Sequence, residues 1–292
     1  MCYGRILGKM TLTGLFKTMQ RENAALVKFQ RRSDRGLMLA QRILTAVIGV
    51  PILLAALYVG GIVWRVLVFL IIMAGLVEFA RISGPGLYLD YLLVSGLSFL
   101  AVTYSGLDGT KLLLWLVFQL FYYMIRATFS GMHSFSSAFN LVGVLYVVVL
   151  YSFLVLVREE FGIVWTVFGL AVTWLTDTGA YFGGSCYGKR QPAPKISPKK
   201  SVEGALFGLL AAALTGVVFA LIAGSSLEQT ILFGVVLSVC AQLGDLVESA
   251  MKRERAVKDT GSLLPGHGGI LDRFDSLAFV FPVLFALLSI FS

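Results

Sequence analysis

Nine stretches of this chain are apolar almost without interruption, and each is close to the length needed to cross a lipid bilayer. A spanning helix needs about 20 apolar residues, and the reading places spans at 43–59, 62–80, 88–104, 111–125, 138–157, 161–182, 203–223, 228–250 and 274–291. The runs are continuous rather than alternating, which rules out an outer-membrane barrel. Composition agrees: 58% of the 292 residues are hydrophobic and 14% are charged, against roughly 25% charged in soluble domains. Disordered chains are poor in apolar residues, so disorder is excluded as well. The expected fold is all-α, a polytopic integral membrane protein with about nine transmembrane helices.

Charge sets the expected orientation. With a cytoplasmic N-terminus, the inner segments are 1–42, 81–87, 126–137, 183–202 and 251–273, and they hold 21 of the 24 Lys and Arg residues. Only Arg65, Lys111 and Arg158 fall at outer ends. Because Lys/Arg-rich segments resist translocation, the C-terminus is expected outside. The net charge of +8 then needs no nucleic-acid partner; its partners are membrane lipids, through anionic headgroups of the inner leaflet. Residues 1–42 read as a basic cytoplasmic segment, with Met38 a second candidate start. Residues 43–160 read as N-terminal transmembrane helices, and 161–292 as the region bearing the chemistry. Cys2, Cys186 and Cys240 are scattered and define neither a disulfide framework nor a cysteine zinc site.

Only the segments 183–202 and 251–273 are long and polar enough to build a site. In the second, Lys252, Arg253, Lys258 and Arg273 surround the turn Pro265-Gly266-His267-Gly268-Gly269, where a ligand can approach the backbone closely. Cations beside exposed amides form a cradle for polyphosphate. Asp245 and Glu248 precede this segment, and Asp272 and Asp275 follow it. Spacing of i, i+3 puts each pair on one helical face. Carboxylates beside phosphate-binding cations point to Mg²⁺, typically held by one or two carboxylates and substrate phosphates. The competing reading is that Asp245 and Glu248 simply pair with Lys252 and Arg253. Asp177 and Asp245 also lie within spans, where acids are costly and normally line functional cavities.

The segment 183–202 contains a near match to a P-loop, Gly183 to Lys189, but Arg190 stands where the metal-binding Ser or Thr belongs and no strand precedes it. Ser201-Val-Glu203 resembles a helix start, and Ser197, Lys199 and Lys200 can hold phosphate at that positive helix end. An ordinary juxtamembrane basic cluster is the alternative. Gly179, Gly183, Gly204 and Gly208 read as marks of close helix packing.

The 27 residues from Ser249 to Asp275 resemble the signature of the phosphatidate cytidylyltransferases, or CDP-diacylglycerol synthases, at every fixed position: Ser249, Lys252-Arg253, Lys258-Asp259, Pro265, His267-Gly268-Gly269, Asp272-Arg273 and Asp275. Asp177 with Ala180-Tyr181, and Ser197-Pro198-Lys199-Lys200 with Glu203-Gly204, are similar to the family in the same order. The resemblance implies transfer of CMP from CTP to phosphatidate, giving CDP-diacylglycerol and pyrophosphate, in an integral protein of the bacterial inner membrane whose site faces the cytoplasm. It also implies Mg²⁺ ligands at Asp245 and Asp272. Asp275 and Asp177 are candidates for a supporting role or a second cation. Lys252, Arg253, Lys258, Arg273, Ser197, Lys199 and Lys200 are expected on phosphate, with Asp259, Gly268 and Gly269 completing the binding set. His267 either donates to the leaving pyrophosphate or shapes the glycine turn. A homodimer is an open expectation.

Competing classes make different demands. A secondary transporter calls for paired broken helices at the midplane and inverted repeats, which are not evident in this sequence. A CDP-alcohol phosphotransferase calls for a helix motif that is absent. Another CTP-using lipid enzyme, such as a lipid kinase, stays open on metal and phosphate groups alone.

Overall fold

The structure, a computed structural model, describes residues 41, 43–83, 89–104, 109–129, 134–266 and 268–291. These residues form helices and no strand. The helices are α1 (Ile43–Val59), α2 (Gly61–Ser83), α3 (Leu89–Tyr104), α4 (Gly109–Phe129), α5 (Ser134–Gly143), α6 (Leu150–Glu160), α7 (Gly162–Tyr187), α8 (Val202–Ala223), α9 (Leu227–Glu254) and α10 (Leu271–Phe291). A π-helical segment, Val144–Val149, joins α5 to α6 without a break. Among the described residues six helices are long and apolar enough to cross a membrane, and α1 and α3 are shorter apolar helices. The chain is therefore an all-α polytopic membrane protein.

Its core is apolar, and, unlike that of a soluble protein, so is much of its surface. Leu206, Leu210, Leu214, Val218, Leu221 and Ile222 of α8 point outward, which is stable only where the surrounding solvent is itself apolar. Small residues let the backbones approach: a Cβ on Gly208 would lie 3.0 Å from the Thr176 carbonyl, and one on Gly204 2.7 Å from the Ala180 carbonyl. Gly179 and Gly183 press on Phe207 from the other side. All four glycines thus serve the α7–α8 contact, as their spacing predicts. From α9, Ser238 Oγ accepts from Thr176 of α7 at 3.0 Å, and Gln242 donates to the Ala205 carbonyl of α8 at 3.3 Å. Such bonds tie α7, α8 and α9 together, because lipid offers the same groups no partner.

The helices run on past the apolar windows. α7 reaches Tyr187 and α9 reaches Glu254, while α10 starts at Leu271. Hydropathy registers only the lipid-contacting part, whereas backbone bonding continues into the polar zone. Lys252 and Arg253 consequently sit on the last turn of α9 and Asp272 and Arg273 on the first turn of α10, so the non-helical stretch is narrower than 251–273.

The end of α9 is a Schellman turn, with Val257 N–H donating to the Lys252 carbonyl at 3.0 Å and Ala256 N–H to the Arg253 carbonyl at 3.0 Å. That turn needs a left-handed residue, and it is Ala256 at φ 56°. A Cβ in this region costs roughly 1–2 kcal/mol, partly offset by the lower backbone entropy of a non-glycine unfolded chain. Ala256→Gly is expected to raise stability by about 0.5–1 kcal/mol, read as a higher melting temperature in detergent. An unchanged or lowered value would contradict the strain.

Candidate active site

The site is built at one end of the helical layer, where α7 and α9 finish and α8 and α10 begin. Lys252 is buried between two acids: its Nζ lies 3.3 Å from Glu248 Oε1, one helical turn back, and 2.7 Å from Asp272 Oδ1 on α10. The other oxygen of Asp272 accepts from Thr260 N at 2.9 Å and Gly269 N at 2.8 Å. A single carboxylate thus joins the end of α9, the start of the connecting loop and the start of α10. Between them Leu264 N–H donates to the Gly268 carbonyl at 2.9 Å, closing a turn in which Gly266 and Gly268 have φ of 74° and 85°. Side chains rarely adopt those angles, hence the glycines.

The second loop is closed on itself and then tied to the first. Ser201 caps α8 by accepting from Gly204 N at 3.1 Å, so the helix start read from Ser201-Val-Glu203 is present. Glu203 accepts from the amides of Lys189 and Arg190 at 2.9 and 3.1 Å, folding the strap 188–201 back over the helix end. Two cross-links join this strap to α9, the helix that leads into the first loop: Lys200 Nζ lies 2.7 Å from Asp245 Oδ2, and Arg253 Nε donates to the Ile196 carbonyl at 3.2 Å. Segments far apart in sequence therefore share one polar surface above the membrane helices.

Acids converge beneath that surface. Asp177 of α7 is exposed and within electrostatic reach of Asp245, Asp275, Lys200 and Arg273. Glu248 lies directly against Asp275, and apart from Lys252 neither of its buried oxygens has a partner among the described residues. Two buried carboxyls side by side in a low-dielectric region either share a proton or have their repulsion offset by a cation. Tyr146, from the π-helical segment, backs the same acids. Among the described residues no three acidic, His or Cys side chains close around a metal position by themselves. That donor set fits a hard cation completed by substrate phosphates rather than an all-protein cage.

The structure divides the expected site residues into three groups. Asp177, Asp245, Asp275, Lys200 and Arg273 are brought together. Lys252, Arg253, Asp272 and Gly269 are internal ties: the two cations bond within the protein, and Gly269 is buried with its amide given to Asp272. Ser197, Lys199, Lys258, Asp259 and Gly268 lie in the loops at the same end, with Lys199, Lys258 and Asp259 exposed. His267 is outside the described residues. The competing sequence reading, in which Asp245 and Glu248 pair with Lys252 and Arg253, holds only for Glu248 and Lys252.

One residue escaped the sequence reading. Glu78, on α2, is buried and accepts from Ile270 N and Leu271 N, both at 3.0 Å, and from Thr260 Oγ1 at 3.2 Å. The available signal was an acid inside the 62–80 span, the same cue that singled out Asp177 and Asp245.

A helical membrane protein with a carboxylate-and-lysine site at one rim describes a class, and comparison places the chain within it. The cytidylyltransferase family model matches residues 40–291, and the chain belongs to that family. A phosphatidate cytidylyltransferase of Bacillus subtilis is 37% identical over 270 residues, covering 86% of this chain and 98% of its own. Proteins of the same description from Staphylococcus haemolyticus and Staphylococcus aureus are each 37% identical, covering 85% of this chain and 98% of their own.

Proposed function

We propose that this chain transfers CMP from CTP to phosphatidate, releasing pyrophosphate and leaving CDP-diacylglycerol in the bilayer. The main support is the Ser249–Asp275 signature, whose two helix ends and connecting loop are tied together at the rim of the membrane helices, with Lys258 and Arg273 exposed. A diacyl substrate stays in lipid while CTP arrives from water, and such a rim serves both. The basic residues gathered at this end favour an orientation with the site in the cytoplasm and the N-terminus inside.

A phosphate oxygen of phosphatidate attacks the α-phosphorus of CTP as the bond to pyrophosphate breaks. The monoester is already ionised near neutral pH, so the protein's task is positioning and charge neutralisation. Lys258 and Arg273 are placed to hold the triphosphate, and Lys199 with Ser197 the lipid phosphate. Asp245, Asp272 and Asp275 are the residues that would hold Mg²⁺, Asp272 through the lone-pair site that its bonds to Lys252 and the amides of Thr260 and Gly269 leave open, with Asp177 available to a second cation. When bound, Mg²⁺ neutralises charge on the triphosphate and orients it. Lys200 on Asp245, and Lys252 between Glu248 and Asp272, balance the acids from the protein side.

Purified protein in detergent, given radiolabelled CTP, phosphatidate and Mg²⁺, is expected to form a lipid-soluble cytidine product. Label that enters lipid from the γ-phosphate instead would indicate a lipid kinase, and uptake into sealed vesicles holding the protein, without product, would indicate a carrier. Lys258→Ala is expected to lower kcat/KM for CTP, and Lys199→Ala that for phosphatidate, each by about 10- to 150-fold for one charge-assisted contact of roughly 1.5–3 kcal/mol. Unchanged kinetics for both would make these lysines topological signals only.

A further inference from the structure

Glu78 is 192 residues before Ile270 in the chain, yet its carboxylate is built into the signature loop. It is 2% exposed, and burial of a charged carboxylate among membrane helices is unfavourable unless its lone pairs are satisfied. The loop supplies three donors, from Thr260, Ile270 and Leu271. The amides of Ile270 and Leu271 open α10, where the helix dipole also favours a negative charge. That N-terminus is consequently occupied by the protein's own carboxylates, Glu78 and Asp272, and a bound phosphate must be met by side-chain cations rather than by these amides.

The loop is also shaped around Glu78. A Cβ on Gly261 would lie 2.6 Å from Glu78 Oε1, and one on Gly269 would lie 2.5 Å from Glu78 Oε2. Gly261 does not have a positive φ, so its smallness answers this contact and not a special backbone conformation. The anchored positions stand two residues from each exposed cation: Thr260 follows Lys258, and Leu271 precedes Arg273. Fixing the first pair of positions fixes the separation of the second.

We infer that Glu78 is a positioning residue for the nucleotide triphosphate: it holds the 260–271 loop so that Lys258 and Arg273 straddle the phosphates. This rests on the CTP-dependent reading above, and extends the site to a helix outside the motif-bearing region. Misplacement of such groups by about an ångström costs on the order of 100-fold. Glu78→Ala is expected to lower kcat/KM for CTP by about that factor, through a raised KM for CTP, while KM for phosphatidate stays within about twofold of the parent.

A double-mutant cycle reads the coupling directly. Gly261→Ala is expected to be damaging in the parent and nearly without further effect in Glu78→Ala, since the obstructing carboxylate is gone. Hydrogen exchange gives a measure independent of activity: peptides covering 260–273 in the full-length protein should exchange about tenfold faster in Glu78→Ala, the loss of one bond to a charged acceptor. If Glu78→Ala does not fold, Glu78→Gln, which keeps one acceptor oxygen and the side-chain size, should show the same changes at smaller amplitude. Parent-like exchange and CTP KM in either variant, or an equal Gly261→Ala loss in both backgrounds, would overturn the role. Should the parent make no cytidylyl lipid, the functional reading fails, while the exchange result still decides whether Glu78 holds the loop.

Discussion

Asp245→Asn is expected to abolish turnover in a chain that still folds. The carboxylate is one-third exposed and pairs with Lys200 at 2.7 Å; such a pair is worth only about 0–1 kcal/mol of stability. Its loss should therefore be tolerated structurally while removing a negative ligand that would hold Mg²⁺ against the triphosphate, an effect of several kcal/mol on the transition state. Asp272→Asn should be equally inactive but differ in stability, because Asp272 also binds Lys252 and the amides of Thr260 and Gly269. A destabilisation of about 1.5–3 kcal/mol is expected from weakening those charge-assisted bonds. Turnover and melting temperature measured on both variants would separate the roles. Near-normal turnover of Asp245→Asn at saturating Mg²⁺ would remove it from the metal-binding set.

For Lys252→Met the expected result is loss of the fold's tie at the site, not a substrate defect. The lysine is 11% exposed at its side chain and the flanking Glu248 and Asp272 are 3% and 4% exposed. Removing the cation leaves two buried carboxylates facing each other, and breaking a buried pair in this way costs about 3–5 kcal/mol. Thermal unfolding in detergent should show a large drop, with Lys252→Arg retaining part of the stability. A melting temperature unchanged in Lys252→Met would mean that the cation is available to substrate, as its place in the signature alone implies.

The contrast between these two residues shows what sequence can and cannot assign. Lys252 and Lys258 are both lysines of one motif, and nothing in their spacing distinguishes them. The Schellman turn at Ala256 does: Lys252 is on the last turn of α9, facing α10, and Lys258 is beyond the turn and exposed. Likewise Gly268 and Gly269 read alike as room for a ligand, whereas the first has a left-handed backbone and the second is pressed against Glu78 and Thr260.

What the sequence determined by itself was everything governed by solvent and by local bonding. Apolar runs dictate helices in lipid, because each helix satisfies its own backbone. The four α7–α8 glycines and the Ser201 cap were legible for the same reason, each needing only neighbours at fixed spacing. Tertiary structure alone decided how distant charges are shared out. Lys200 meets Asp245, Arg253 reaches the Ile196 carbonyl, and Glu78 enters a loop that starts about 180 residues later in the chain. A buried charge takes whichever partners packing brings within bonding distance, and packing across helices leaves no periodicity in the sequence of any one of them.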